Sequence, residues 1–440
     1  MRASRQETAR RSWNPRTLRS AVPAEQPRCL ARPGWPETQH SSPRNAVSTV
    51  EPHSVGVTNI RVVASDAWAV AAAACPKHMS HGPCAGVRAD GACEVPGVGR
   101  CSYLDVPDRD WPYADVLIPA PDPGAAIPDV AGAWPRSPAA AGFLATAATR
   151  PVVVADLVAP ALSADGVRAC AAEIVGFADA CLTGDHPGAR VQFPPSYRAR
   201  LLAGEGVAAW AGINCRDRNR VAIEGEIAAC ADAGVAGVHC VTGDHPGTGH
   251  RPDAAAVFDL DSIELVELAS MSLALPARPL CSVAHAPAAP PAGKRLARLL
   301  AKIDAGADVV FVDHCGGAGP LAEAVAALRE AGFSGLVLCC VPVVTSAGAA
   351  EVVASFAADR LPPGYLDAIM SAPDPAESGV TAAVHFAEAV LAVPGVDGVN
   401  LSAGAGPGQE LAVTRAMAEV GRRVLGAPAA SRPRPAGGVS

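Results

Sequence analysis

Aromatic residues are scarce in this chain, making up 4% of its 440 positions. A site that gripped flat rings by stacking would have few side chains to do it with, and any large core must be aliphatic. Long apolar runs are also missing. The longest beside an expected strand, residues 335–344, is about half of what a bilayer span needs, so no membrane helix is expected. The start has no apolar h-region, which argues against secretion and for a cytoplasmic protein. Nor is there an excess of positive charge. The formal net charge is −7, so neither nucleic acid nor an anionic membrane is an expected partner. A disulfide framework is disfavoured in turn, because the 14 cysteines belong to an unsecreted chain.

Half of the residues are apolar, and 42 Gly and 41 Pro mark many turns. That is the composition of a globular protein, long enough for one large domain and a small one. Residues 1–55 stand apart as an Arg-, Pro- and Ser-rich stretch without periodicity, expected to be a disordered tail. Its Arg-rich beginning has a transit-peptide flavour that a bland tail explains equally well. A cysteine-rich segment is assigned to 56–120, a linker to 121–150, a repeating α/β domain to 151–426, and a second tail to 427–440.

The α/β domain repeats one unit: an Ala-rich amphipathic helix, a Gly stop and a Val-rich strand. Ser163 is expected to cap a helix bearing Val167, Cys170 and Ile174 on one face, and Asp217 to cap another bearing Ile223, Ile227 and Cys230. Further stripes run through Leu296, Leu299, Leu300 and Ile303, and through Leu321, Val325 and Leu328. Gly234, Gly306 and Gly332 stand where a left-handed residue closes a helix. About eight apolar strands fall near 151–157, 179–183, 207–213, 235–242, 279–284, 308–313, 335–341 and 396–401. That count predicts a (β/α)₈ TIM barrel. The rival, an open doubly wound sheet, lacks its phosphate-binding G-x-G-x-x-G after the first strand.

In such a barrel the reactive residues sit at the C-terminal strand ends. Those ends carry Asp156, then Thr183-Gly-Asp-His-Pro-Gly, then Asn214-Cys-Arg-Asp-Arg-Asn-Arg, then Thr242-Gly-Asp-His-Pro-Gly, then His285, then Asp313-His314-Cys315. The fourth segment repeats the second letter for letter. One Thr-Gly or Asp-x-Pro turn is most simply a turn former. Six polar strand ends in order are better explained as a catalytic mouth.

Four segments together, Val154-Ala-Asp-Leu-Val-Ala-Pro, Cys215-Arg-Asp-Arg-Asn-Arg, Val241-Thr-Gly-Asp-His-Pro and Lys302-Ile-Asp-Ala-Gly-Ala-Asp, resemble the methylenetetrahydrofolate reductase family in order and spacing. The resemblance spans residues 151–426. It implies a flavoenzyme in which FAD passes a hydride from NAD(P)H to the methylene group of a folate. By motif, Thr242, Gly243 and Asp244 would lie at the flavin ring and Lys302 at its phosphates, with Thr183 and His285 as further flavin contacts. Asp244 would also support a cationic folate electrostatically. Asp156 stands where the family has a Glu acting as general acid, one methylene longer. Arg216, Asp217 and Asp313 are the expected substrate-binding side chains, Asp313 replacing a family Gln.

The cysteine segment runs Cys75-Pro-Lys-His-Met-Ser-His-Gly-Pro-Cys84, then Cys93 and Cys101. Gaps of eight, eight and seven residues do not match zinc-finger pairs, yet four thiolates on a Gly/Pro-rich loop can meet at zinc or a [4Fe–4S] cluster. The segment resembles a cysteine domain attached to, or partnered with, some of these reductases. A cluster there would admit a ferredoxin-like electron donor in place of NAD(P)H. The missing aromatics and the changes at Asp156 and Asp313 keep an alternative open, an FAD-free folate- or pterin-binding barrel serving a methyl-transfer or demethylase system. Homo-oligomerisation is compatible with the sequence.

Overall fold

The apolar runs after Pro151 form eight strands: β1 (Val152–Asp156), β2 (Ala180–Thr183), β3 (Ala209–Asn214), β4 (Gly237–Val241), β5 (Leu280–His285), β6 (Val309–Val312), β7 (Leu336–Val343) and β8 (Gly398–Ala403). In this computed structural model the described residues are 66–111, 135–185, 189–272, 275, 277–357 and 360–426. Both expected tails, 1–55 and 427–440, lie outside them. The strands pair in parallel in sequence order, and β8 returns to β1, with Val152 opposite Gly398, so the sheet closes into the expected barrel. Strands buried on both faces explain the unbroken apolar runs.

The helices are α1 (Asp66–Ala74), α2 (Pro138–Ala147), α3 (Ala164–Ile174), α4 (Pro195–Gly204), α5 (Arg220–Asp232), α6 (Ser262–Glu267), α7 (Arg295–Asp304), α8 (Ala318–Glu330), α9 (Ala347–Ala357), α10 (Tyr365–Met370), α11 (Pro375–Leu391) and α12 (Glu410–Leu425). Ser163 caps α3 by accepting the Gly166 N–H at 3.0 Å. The cap of α5 is Asn219, which accepts from the Ala222 N–H, and not Asp217. The helix starts two residues later than the expected cap allows, and Asp217 lies beside Arg216 and Arg218 instead. Ile223, Ile227 and Cys230 are nonetheless fully buried, so the apolar stripe was set by period rather than by cap. Gly306 closes α7 with a φ of 113°, which a side chain would resist.

The N-terminal end of the barrel is sealed by α2, inside the stretch expected as linker. Its Phe143 meets the Trp210 ring edge-on at 5.0 Å, and Trp210 meets Phe311 at 5.5 Å. Gly237 makes room for that indole, since a Cβ there would lie 2.2 Å from Trp210 Cε2. Around the same end Arg136 grips Asp308, and Arg150 grips Asp179, each through two hydrogen bonds. The cysteine segment joins the large core outside the strands, and there Trp68 packs edge-on against Tyr103 (5.1 Å) and Trp111 (5.4 Å).

Candidate active site

Asp156 ends β1 at the mouth. Asn400 of β8 donates to its carboxylate at 3.0 Å, and Ser402 and the Ala403 N–H also hold it. Burial nevertheless dominates and pushes its carboxyl up to about 6, with Asp313 adding to the rise. The amide oxygen of Asn400 is buried without a hydrogen-bond partner. Asp156 lines a cavity of about 150 Å³ together with Asp185, Gln192, Arg198 and Glu410. Asp313 is already engaged: it ion-pairs with Arg360 and accepts the His314 N–H. As an expected substrate-binding side chain it would have to share its carboxylate with Arg360, which lies 47 residues away in sequence.

The two identical hexapeptides have different fates. After β2, Thr183 is fully buried and turned to the Trp210 carbonyl at 3.4 Å. Asp185 accepts from Arg216 (2.7 Å), Asn214 (2.9 Å) and Gln192 (2.6 Å). Burial opposes the ionised form, but Arg216 and the other donors hold this carboxyl below its ordinary value. The sequence reading missed Asp185, although the repeated motif and the neighbouring Arg216 were the available signal. After β4, Thr242 is buried. Gly243, at φ 84°, presses on Asn214, where a Cβ would come within 2.8 Å of the Asn214 Cβ. Asp244 keeps 58% of its side chain open, with Arg190 3.6 Å away. Burial by the mouth walls, then Glu94, raises its carboxyl, and that exposure screens the effect. Arg216 is buried and so is shared between Asp185 and Asp217, with Asp244 in range.

The other two expected flavin contacts face inward. Lys302 donates to the Ala284 carbonyl at 2.9 Å, and burial, reinforced by Arg298, lowers its amine to about 7. His285 is buried and brought down to about 3 by desolvation and Lys302, so its imidazole is neutral. These side chains fit FAD at one end only. Thr242, Gly243 and Asp244 line an open mouth, whereas Lys302 presents no free ammonium for phosphates.

The cysteine segment is docked on this mouth. Arg295 donates to the carbonyls of Pro83 and Cys84, each at 3.0 Å, and Arg298 to that of His81. The His81 ring meets Asp261, which caps α6, at 3.0 Å. Cys75, Cys84, Cys93 and Cys101 share one neighbourhood, each close enough to perturb the others electrostatically. Burial raises the thiols of Cys75 and Cys93, and that of Cys101 to about 11, while the backbone N–H groups of Lys77, Val95 and Tyr103 point at their sulfurs. Amides aimed at sulfur favour thiolates, which suits this donor set to a metal. Among the described residues no three of these sulfurs lie within 4.8 Å of one another. Tetrahedral zinc would draw them to roughly 3.8 Å. The nine other cysteines described are eight buried and one half-buried, as small hydrophobes.

Residues 62–111 match a family model described as "Methylene-tetrahydrofolate reductase C terminal". That segment holds all four clustered cysteines. No curated protein matches the chain. Among solved structures, an uncharacterised Clostridium thermocellum protein that binds two copies of 5-methyl-5,6,7,8-tetrahydrofolic acid is 10% identical, with a TM-score of 0.45 over 61% of this chain and 94% of that one. EDTA monooxygenase from Chelativorans sp. is 15% identical (TM-score 0.40; 64% and 96% covered). Triosephosphate isomerase from Bartonella henselae is 13% identical (0.35; 62% and 99%). Such distant likenesses reflect the barrel alone. Among the described residues no helix is long and apolar enough to cross a membrane.

Proposed function

We propose that this chain is a one-carbon folate oxidoreductase of the methylenetetrahydrofolate reductase type, interconverting 5,10-methylene- and 5-methyltetrahydrofolate. The observation that carries this reading is Asp156, a carboxyl at a barrel strand end whose burial raises it to about 6. A carboxyl so tuned is a competent proton donor near neutral pH. It would protonate the folate ring nitrogen, while Asp244, open to the mouth, would stabilise the cationic iminium form of the substrate. Arg216 would hold a substrate carboxylate only by yielding part of its bond to Asp185. FAD, when bound beside Thr242 and Asp244, would supply the hydride chemistry, with electrons from NAD(P)H or a ferredoxin-like donor. Cys75, Cys84, Cys93 and Cys101 would hold zinc or a [4Fe–4S] cluster.

A second reading, an FAD-free folate or pterin binder, is favoured by one observation, the inward-turned Lys302. An anaerobic visible spectrum before and after adding methyltetrahydrofolate separates the two. A flavin band that bleaches supports the first. A protein that stays colourless in that region after incubation with FAD refutes it and supports the second.

A further inference from the structure

Lys77 belongs to the cysteine segment, two residues after Cys75, yet its ammonium sits on the barrel. It is 3% exposed, pairs with Glu94 at 2.5 Å and donates to the Gly243 carbonyl at 2.8 Å. The Phe258 ring lies 5.8 Å from it. Glu94 completes the arrangement by accepting the His245 N–H at 3.0 Å. The residues on either side of Asp244 are therefore both tied to side chains of the cysteine segment, and Asp244 is slung between them. A buried ammonium and carboxylate are costly to separate, because parting them leaves an uncompensated charge in a dry place. The segment and the loop after β4 must move together or not at all.

We propose that Lys77 and Glu94 are positioning residues that set the loop carrying Asp244, so that the cysteine segment forms one wall of the barrel mouth. The chain from Cys75 to Cys84 carries Lys77, and Glu94 follows Cys93 directly. Whatever orders the four thiols thus orders the two anchors of Asp244. The placement of the loop stands on contacts alone; only the chemical use of Asp244 rests on the folate reductase reading.

The test is amide hydrogen exchange on the full-length, metal-replete protein, comparing wild type with Lys77→Met and Glu94→Gln. Glu94→Gln takes the charge from the acceptor of the His245 amide, and Lys77→Met removes the cation that holds that acceptor and the Gly243 carbonyl, so His245 exchange should quicken in both variants, by about tenfold. Amides of β3 and β4 should keep their rates. Unchanged exchange across 243–245 in either variant, with metal content intact, overturns the proposal. If Lys77→Met unfolds the segment, the near-isosteric Glu94→Gln decides alone. A second readout is carbodiimide labelling of Asp244 against pH. The groups facing Asp244 are Lys77 and Arg190, which lower its carboxyl, and Glu94 and Asp185, which raise it. Lys77→Met should move the labelling profile to higher pH, because the cation nearest the loop is lost; an unmoved profile counts against the proposal. Neither readout needs a flavin, so a protein that binds no flavin yet gives these results refutes the folate reductase reading and leaves this inference standing.

Discussion

Replacing Asp156 by Asn should make the protein more stable and less active, and the gain should grow with pH. The carboxyl rises from 3.8 to about 6 on folding, chiefly through burial. At 1.36 kcal/mol per unit, the folded state disfavours the ionised form by about 3 kcal/mol. The direction matters because it is opposite to that of most carboxylates. With a folded value above the unfolded one, no penalty is felt below about pH 4. It builds as pH climbs from 4 to 6 and is complete above that. An amide carries no such charge, and its carbonyl can still accept from Asn400 Nδ2. The unpartnered Asn400 oxygen offers an acceptor for the new N–H. Linkage then gives a gain of about 1 kcal/mol at pH 4.5 and close to 3 kcal/mol at pH 7.5. Urea unfolding followed by circular dichroism at both values, at one ionic strength, measures this. Turnover should fall by about 10²–10⁴, the usual contribution of a general acid. A stability difference equal at the two pH values, or larger at the lower one, would refute burial as the cause of the raised carboxyl.

Other outcomes follow from contacts already described. Phe143→Ala should cost about 3–5 kcal/mol in unfolding experiments, since it empties the plug against Trp210 at the closed end of the barrel. Burial opposes protonation of His81, but Asp261 raises its pKa above the ordinary value. The ion pair therefore stabilises fully below about pH 6.5 and is lost as pH rises through the elevated folded value. Trp68 fluorescence in mild urea should show the cysteine segment loosening first on the alkaline side, and a His81→Gln variant should lose that pH dependence. Cys84→Ser should sharply reduce metal per chain by elemental analysis, while β-barrel circular dichroism stays close to wild type.

Much of the barrel was legible because its signals are local. Apolar runs such as Val309–Val312, and glycines such as Gly306, report on backbone needs within a few residues. Helix α2 was hidden for the converse reason. Its sequence, Pro138 to Ala147, is mostly small residues, and its buried anchor, Phe143, finds its partner only after the strands close. The site divides in the same way. Asp156 stood at a strand end, where barrel topology alone assigns reactive groups. The orientation of Lys302, the engagement of Asp313 by Arg360 and the service of Asp185 to Arg216 each depend on a partner chosen in three dimensions. The docking of Lys77 on Gly243, 166 residues away, leaves no trace in the spacing of the cysteines.

The repeated hexapeptide shows how little of a carboxylate's availability is written in its own neighbours along the chain. Asp185 and Asp244 share the same flanking residues, and three donors, Arg216 foremost, decide between them. Moving the basic charge at position 216 away from β2 would leave Asp185 to the neutral amides of Asn214 and Gln192, two strands from Asp244, and loosen its hold on the ionised form. In that sense the availability of each acid is a setting held by the side chains that reach it from other strands and loops, and the chain already holds the spare part for another arrangement.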